Sequence, residues 1–89
     1  PKLLRNTDQG SAIYYCPGCK QYHQINSTWT ITGTDEEPTV NPSILVRGYL
    51  NEQIQNGVCH SFIRKGKIEF LSDCSHELKG QTVSMVEEE

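Results

Sequence analysis

Two cysteines separated by a proline and a glycine, in the stretch CPGC at residues 16–19, are the first chemically informative feature of this sequence. A C-x-x-C pair on a tight turn can present both sulfur atoms to one tetrahedral metal ion, and the amides of the turn can donate hydrogen bonds to the thiolates. A redox dithiol would be expected to open a helix, but the following KQYHQI alternates as a strand does. The pattern favours half of a structural zinc site over a redox pair or two plain buried cysteines.

The stretch CHSFIRKGKIEFLSDCSH, residues 59–76, holds the other two of the four cysteines, two of the three histidines and an aspartate. Alternating apolar residues on both sides of Lys65-Gly66 predict a β-hairpin, because glycine supplies the positive φ of a tight turn. A two-residue loop predicts the cross-strand partners Arg64 with Lys67, Ile63 with Ile68, Ser61 with Phe70 and Cys59 with Ser72.

Side chains alternate across a strand, so this register assigns each residue of the hairpin to a face. Cys59 and, by extrapolation, Cys74 fall on the apolar face, about 6–8 Å apart as diagonal neighbours. His60 and Asp73 fall together on the opposite face. The stretch therefore predicts two sites, one on each side of the hairpin, and a one-residue slip in register would undo the assignment.

The hairpin register favours Cys74 as the fourth metal ligand, with His23 and His76 as alternatives. Cys16, Cys19 and Cys59 supply three thiolates, and Cys74 would complete a Cys₄ site of zinc-ribbon type. A Cys₃His site could instead use His23, in the pattern C-x-x-C-x-x-x-H, or His76. Zn²⁺ is the expected ion, in a structural role, because thiolate ligands favour it.

Length and composition limit the size and stability of the domain that carries these sites. The chain has 89 residues, of which 35% are hydrophobic, and a formal net charge of −3. Such a small chain buries only about 60–65% of its unfolded surface and usually needs a metal or disulfides to be stable. We therefore expect residues 1–89 to form a single zinc-stabilised domain.

The acidic balance argues against nucleic acid as a partner. Without an apolar run long enough to span a membrane, and with no visible signal peptide, the expected location is the cytoplasm.

Short apolar runs punctuated by Gly, Pro, Asn, Thr and Ser predict an all-β or β-rich domain of antiparallel hairpins with a zinc-ribbon-like knuckle. Gly33–Pro42 is predicted to be a long polar loop, and Tyr49–Gln55 a short helical turn. The predicted strands are Ala12–Tyr15, Tyr22–Ile25, Trp29–Thr32, Ile44–Val46, Val58–Arg64, Lys67–Leu71 and Thr82–Val86.

Four motifs occur in order between Cys16 and Val83: CPGC-x-x-x-H, PTVNPS, CHSFI-x-x-G-x-I-x-FL and DCSH-x-L-x-GQTV. In these motifs the chain resembles a family of small zinc-binding proteins of long-unassigned function, common in phages and prophages and often mislabelled as ammonia monooxygenase. It is also similar to proteins of bacterial operons that encode ubiquitin-like proteins with their activating and conjugating enzymes. The resemblance implies a serine-type peptidase that processes or removes the ubiquitin-like protein.

Carried onto this sequence, the resemblance points to Ser43, His60, Asp73 and His76 as catalytic residues. A serine nucleophile needs a base within about 3 Å, and the base needs an orienting acid. His60 and Asp73, on one face of the hairpin, suit the second and third roles. The sequence has no G-x-S-x-G nucleophile elbow, and Ser43 after Pro42 could equally be a turn residue.

Three functions are compatible with these residues. The first is the small serine-type peptidase, with a protein substrate and a purely structural zinc. The second is a non-enzymatic zinc-ribbon-like binding module of phage origin that blocks a host defence or transcription component. The third is a metallohydrolase in which His23, His60 and His76 hold a catalytic zinc with one open position beside a separate Cys₄ site.

Overall fold

The structure is a computed structural model that describes residues 1–6 and 10–87, and these residues form two antiparallel β-sheets and no helix. The all-β fold class predicted from the sequence is confirmed. No helix of the described residues has the length and apolar character needed to cross a membrane. The first sheet contains β1 (Leu4–Asn6), β2 (Ser11–Cys16) and β3 (Gln21–Ile25). The second contains, in spatial order, β4 (Thr30–Gly33), β5 (Pro38–Gly48), β6 (Gly57–Arg64), β7 (Lys67–Phe70) and β8 (Thr82–Ser84).

The β6–β7 hairpin has the predicted register. Arg64 pairs with Lys67 across a two-residue turn, and the pairing continues to Ser61 and Phe70. Both turn residues have positive φ, 49° at Lys65 and 77° at Gly66. This is the backbone combination of a type I′ turn, whose twist matches that of the strands it joins.

Alternation along the strands builds one core from both sheets. In β2, Ala12 and Tyr14 are buried while Ile13 between them is exposed, and in β6 Ile63 is buried while Arg64 is exposed. The inward side chains of the two sheets belong to a single cluster of buried residues. Its larger members are Leu3, Tyr14, Ile25, Val40, Ile44, Ile63, Ile68 and Phe70. The outer face of β6, by contrast, leaves His60 and Phe62 only partly covered.

Three elements differ from the sequence-based prediction. The predicted polar loop 33–42 is wrong in its second half, because β5 begins at Pro38 and runs for 11 residues. Pro38 and Val40 are buried and hold this polar segment against the core. Strand β1 was not predicted, and Tyr49–Gln55 contains no helical turn. Leu50 and Asn51 of that segment are buried instead, as part of an irregular connection.

Candidate active site and metal centre

A bulge in β5 sets the position of Ser43. Val40 pairs with Ile63 of β6, and Ile44 pairs with Ser61, so four steps along β5 correspond to two along β6. The extra residues interrupt the ladder and bend β5 locally, which is how a bulge re-aims a side chain. Ser43 lies at the end of this bulge, half-buried, on the outer face of the sheet.

The indole of Trp29 anchors the same bulge. Its Nε1 donates a hydrogen bond to the backbone carbonyl of Ser43 at 3.2 Å. Trp29 immediately precedes β4, whose first residue Thr30 pairs with Asn41, and its ring packs against the core. The sequence analysis assigned Trp29 only to a strand. Its contact with Ser43 depends on the β4–β5 register, which no short motif signals.

Ser43, His60 and Asp73 form a connected chain of side-chain contacts. The Nε2 atom of His60 lies 3.0 Å from Ser43 Oγ. Its Nδ1 lies 3.2 Å from Asp73 Oδ2. One ring nitrogen thus faces the hydroxyl and the other faces the carboxylate, which is the order of contacts that a Ser-His-Asp triad requires. In this order the imidazole can accept the hydroxyl proton while the carboxylate holds the opposite nitrogen protonated.

The three residues lie on an open sheet surface. The side chain of His60 is 26% exposed and that of Asp73 is 57% exposed. A contact as exposed as this one contributes little to stability, typically about 0–1 kcal/mol, because water screens it. The contact between Asp73 and His60 is therefore not what holds this part of the fold together.

The thiol of Cys74 contacts the backbone of His60. Its Sγ donates a hydrogen bond to the His60 carbonyl at 3.1 Å and accepts one from the His60 amide at 3.3 Å. The sequence analysis extended the hairpin register and expected Cys74 to be the fourth metal ligand. The extension fails because β7 ends at Phe70 and the chain loops out before Ser75 rejoins β6, where its amide donates to the Val58 carbonyl at 2.8 Å.

A separate group of four buried side chains has the composition of a metal centre. Ligand atoms of Cys16, Cys19, Cys59 and His76 all lie within 4.8 Å of one another. Cys16 ends β2 and Cys19 lies in the β2–β3 turn. Cys59 belongs to β6 and His76 to the loop after β7, so the group joins the two sheets. Cys74 is not a member of it. Of the three fourth ligands that the sequence left open, His76 is the one that lies with the three thiols.

The thiols of this group share their protons unequally. Hydrogen bonds from the Cys19 and Cys59 thiols lower the pKa of Cys16. Donation to Cys16 raises the pKa of Cys19 to about 12, and also raises the pKa of Cys59. Cys16 is therefore the thiol of this group that loses its proton most readily. A metal ion would have to displace the remaining thiol protons, so its affinity for the group should fall with falling pH.

Burial and an unpartnered ring nitrogen make the imidazole of His76 a suitable ligand for a metal ion. Burial lowers the pKa of His76, which favours the neutral ring, the form that can coordinate a metal ion. Its Nε2 is buried and has no hydrogen-bond partner among the described residues, while Nδ1 accepts a hydrogen bond from the Leu78 amide at 3.3 Å. Coordination through Nε2 would place the ring proton on Nδ1 and give up that long contact. It would also remove the free-energy penalty of leaving a buried nitrogen without a partner, about 1–3 kcal/mol.

Close packing fixes the His76 ring from two sides. Phe70 meets it edge to face, with ring centroids 4.5 Å apart. On the other side the ring lies directly over Gly18, where an added Cβ would overlap its Cε1, Nε2 and Nδ1 atoms. The close approach of the His76 ring thus requires a glycine at this position of the CPGC turn.

Replacing Gly18 by alanine is expected to weaken metal binding about 10- to 100-fold, the range found for groups that orient metal ligands. The added methyl group must push the His76 ring away from the three thiols. Competition against a chromophoric chelator measures the affinity. Ser72→Ala, at an exposed position outside the group of four side chains, is the control. Equal affinities of Gly18→Ala and wild type would show that the ring need not lie where the structure has it.

The three histidines occupy different surroundings. His60 contacts Ser43 and Asp73, and His76 lies with the cysteines. His23 is buried edge to face against Tyr14, and its Nε2 has no hydrogen-bond partner among the described residues. The group of three thiols and His76 is the one cluster of candidate metal ligands in the described ranges. No such cluster supports the three-histidine zinc site considered from the sequence.

One further buried residue, Asn51, supports the CPGC turn and was not singled out from the sequence. Asn51 Nδ2 donates to the Cys19 carbonyl at 2.8 Å. Its Oδ1 accepts hydrogen bonds from the amides of Gln53 and Ile54, at 2.8 and 2.9 Å. The residue ties the irregular connection after β5 to the CPGC turn. An asparagine in the polar stretch YLNEQIQNG carries no signal of this role.

These features define a small all-β protein with a Ser-His-Asp contact chain on the outside of a hairpin and a Cys₃His group, compatible with a metal site, on the inside. The sequence matches the family described as bacterial ubiquitination-like system serine protease (BubE) over residues 2–71. The match covers most of the chain and includes Ser43 and His60. The chain therefore belongs to this family. Searches of curated proteins and of solved structures found no match. The phage and prophage relationship stays a prediction.

Proposed function

We propose that this protein is a serine-type peptidase acting on a ubiquitin-like protein of a bacterial ubiquitination-like system, either by trimming its precursor or by releasing it from conjugates. The observation that carries the proposal is the chain of contacts from Ser43 through His60 to Asp73, at 3.0 and 3.2 Å. Membership of the serine protease family supports the same reaction class and implies a protein substrate.

Each residue of the contact chain has one role in the proposed reaction. Ser43 Oγ attacks the scissile carbonyl, and His60 Nε2 takes its proton and then delivers it to the leaving amine. Asp73 holds the proton on Nδ1 and stabilises the imidazolium while it exists. The acyl-enzyme ester on Ser43 is then hydrolysed by water, with His60 again acting as the base.

The metal in this proposal is a structural zinc ion held by Cys16, Cys19, Cys59 and His76. Three thiolates and one imidazole form a closed tetrahedral set of the kind that zinc takes in structural sites. Four protein ligands leave no open position for a substrate or an activated water. Zinc would stabilise the whole of residues 1–89 as a single domain and fix the two segments that carry His60 and Asp73.

Incubation with the ubiquitin-like protein of the same bacterial system tests the proposed reaction. The substrate is the precursor with its C-terminal extension, or a conjugate to a second protein, and intact-mass spectrometry follows its loss. We expect one cleavage at the end of the ubiquitin-like domain, insensitive to a weak chelator that cannot strip a structural zinc. Absence of cleavage of both substrates by the zinc-loaded protein would contradict the proposal.

Replacing Asp73 by asparagine is expected to lower kcat/KM about 10- to 10³-fold, less than the roughly 10⁴-fold loss in kcat seen when a buried triad aspartate is replaced. The effect should be smaller because the Asp73 carboxylate is largely exposed and water partly replaces it. The rate of precursor cleavage measures the change, and Glu77→Gln, which removes another exposed carboxylate, is the control. A variant as active as wild type would exclude an orienting role for Asp73.

A further inference from the structure

A basic cavity lies beside Ser43 on the outer face of the second sheet. Its volume is about 650 Å³, and it lies between the first half of β5 and the tip of the β6–β7 hairpin. The residues that line it are Glu37, Thr39, Asn41, Arg64, Lys65 and Lys67. Three cations and one anion thus face a cavity in a chain whose net charge is −3. The cavity favours an anionic occupant.

The positive charges at the hairpin tip are only partly neutralised by other residues of the chain. Arg64 and Lys67 pair directly across β6 and β7, and like charges in directly opposed positions destabilise a sheet. Arg64 is held over the Phe62 ring at 4.5 Å and reaches Glu69 at 3.3 Å. Neither Lys65 nor Lys67 has a salt-bridge partner in the described part of the chain. A carboxylate bound between these cations would relieve the repulsion.

The distance from Ser43 relates this cavity to the proposed reaction. Asn41 lines the cavity and precedes Ser43 by two residues in the bulge of β5, so the two residues are at most about 7 Å apart along the chain. A polypeptide extended across Ser43 covers that distance in two residues. Its side chains therefore enter the cavity two or three residues away from the bond that Ser43 attacks.

We infer that this cavity is a specificity subsite that binds an aspartate or glutamate side chain of the polypeptide substrate, two or three residues from the scissile bond. The inference rests on the proposed peptidase function. Arg64, Lys65 and Lys67 supply the charge, and Thr39 and Asn41 supply polar groups at the wall nearest Ser43. Because these groups are exposed, recognition should weaken as salt is added.

Cleavage of paired peptides tests the subsite. The probes are short acetylated and amidated peptides spanning the cleavage junction of the precursor, with Asp or Glu at each flanking position compared against Asn or Gln. Blocked ends remove terminal carboxylates as a second source of the same charge. Wild type is expected to prefer the acidic peptide about 3- to 30-fold in kcat/KM at low salt, since exposed ion pairs contribute a few-fold each.

The variant Lys67→Glu should abolish or reverse that preference while keeping the fold, because it replaces a repulsive pair with Arg64 by an attractive one. Its midpoint of thermal unfolding is expected to equal or exceed that of wild type. Lys79→Glu, which makes the same charge change at an exposed position outside the cavity, should keep the acidic preference. An unchanged preference in Lys67→Glu would overturn the inference.

A binding measurement separates failure of the subsite from failure of the peptidase. In Ser43→Ala protein, the acidic peptide should shift the backbone amide resonances of Lys65 and Lys67, and the neutral peptide should not. Cleavage without any acidic preference would leave the peptidase standing and overturn the subsite. Selective binding of the acidic peptide without cleavage by wild type would support the subsite and overturn the peptidase proposal. Neither binding nor cleavage of any peptide would overturn both.

Discussion

Replacement of Ser43 by alanine is expected to abolish cleavage of the ubiquitin-like substrate, lowering kcat by about 10³- to 10⁶-fold, as removal of a serine nucleophile does in other serine peptidases. The hydroxyl is the atom that His60 Nε2 contacts at 3.0 Å, and alanine leaves the base with no proton to take. The fold should be retained, because Trp29 is bound by the backbone carbonyl of residue 43 and not by its side chain. Single-turnover kinetics and thermal unfolding of the same preparation measure both effects.

Ser72→Ala is the matched control for this experiment. Ser72 is an exposed serine next to Asp73, outside the contact chain, so its replacement should change the rate less than about two-fold. His60→Ala should lose activity to the same extent as Ser43→Ala, and the double variant should lose no more, because residues that act as a unit are not additive. Full activity in Ser43→Ala would contradict the proposal that the protein is a serine peptidase.

Removal of the metal is expected to have the largest effect on stability. Structural zinc contributes about 10–16 kcal/mol of apparent folding free energy in zinc-finger peptides, whereas a whole domain has a net stability of only about 5–15 kcal/mol. The three thiols and His76 join the two sheets, so their loss should uncouple them. We expect the cooperative unfolding transition to disappear after chelation at high temperature or in His76→Ala. Circular dichroism melting, with metal content measured on the same samples, records this.

Two variants serve as controls for the metal site. His23→Ala removes a buried histidine that contacts the Cys16 thiol but lies outside the group of four. Cys74→Ser removes a thiol that contacts the His60 backbone. Both should retain one metal ion per chain. Metal retained in His76→Ala but lost in Cys74→Ser would show that Cys74 is the fourth ligand after all, as the sequence first suggested.

Loss of the metal should also lower activity, because ligands and catalytic residues share the same short segments. Cys59 immediately precedes His60, and Asp73 lies three residues before His76. A shift of the two ligand positions therefore moves the base and its orienting carboxylate. Misplacement by about 1 Å can cost on the order of 10²-fold in rate.

The β6–β7 hairpin shows what local sequence can predict here. Its register depends on a turn that needs positive φ at two adjacent residues and on an apolar face of Ile63, Ile68 and Phe70, and both signals lie within a few residues of one another. That register was enough to place Cys59 on the buried face and His60 on the outer face. It failed beyond Phe70, because the loop before Ser75 is determined by hydrogen bonds to β6 rather than by alternation.

The features of the fold and of the candidate site that could not be predicted depend on contacts between segments that are distant in the sequence. The bulge that carries Ser43 exists only relative to β6, and the indole that anchors it belongs to Trp29, just before β4. His76 and Gly18 are 58 positions apart, and only the packed structure shows that one requires the other. The choice among Cys74, His23 and His76 was open for the same reason, since each is compatible with a zinc-ligand spacing.

Covalent labelling by a serine-directed fluorophosphonate, mapped by peptide mass spectrometry, tests the central claim most directly. The zinc-loaded protein is expected to carry one adduct, on Ser43, formed faster than on free serine. His60→Ala should slow its formation by at least about 10²-fold, the lower range for general-base assistance. An adduct on another serine, or a Ser43 adduct that forms equally fast without His60, would contradict the assignment of nucleophile and base.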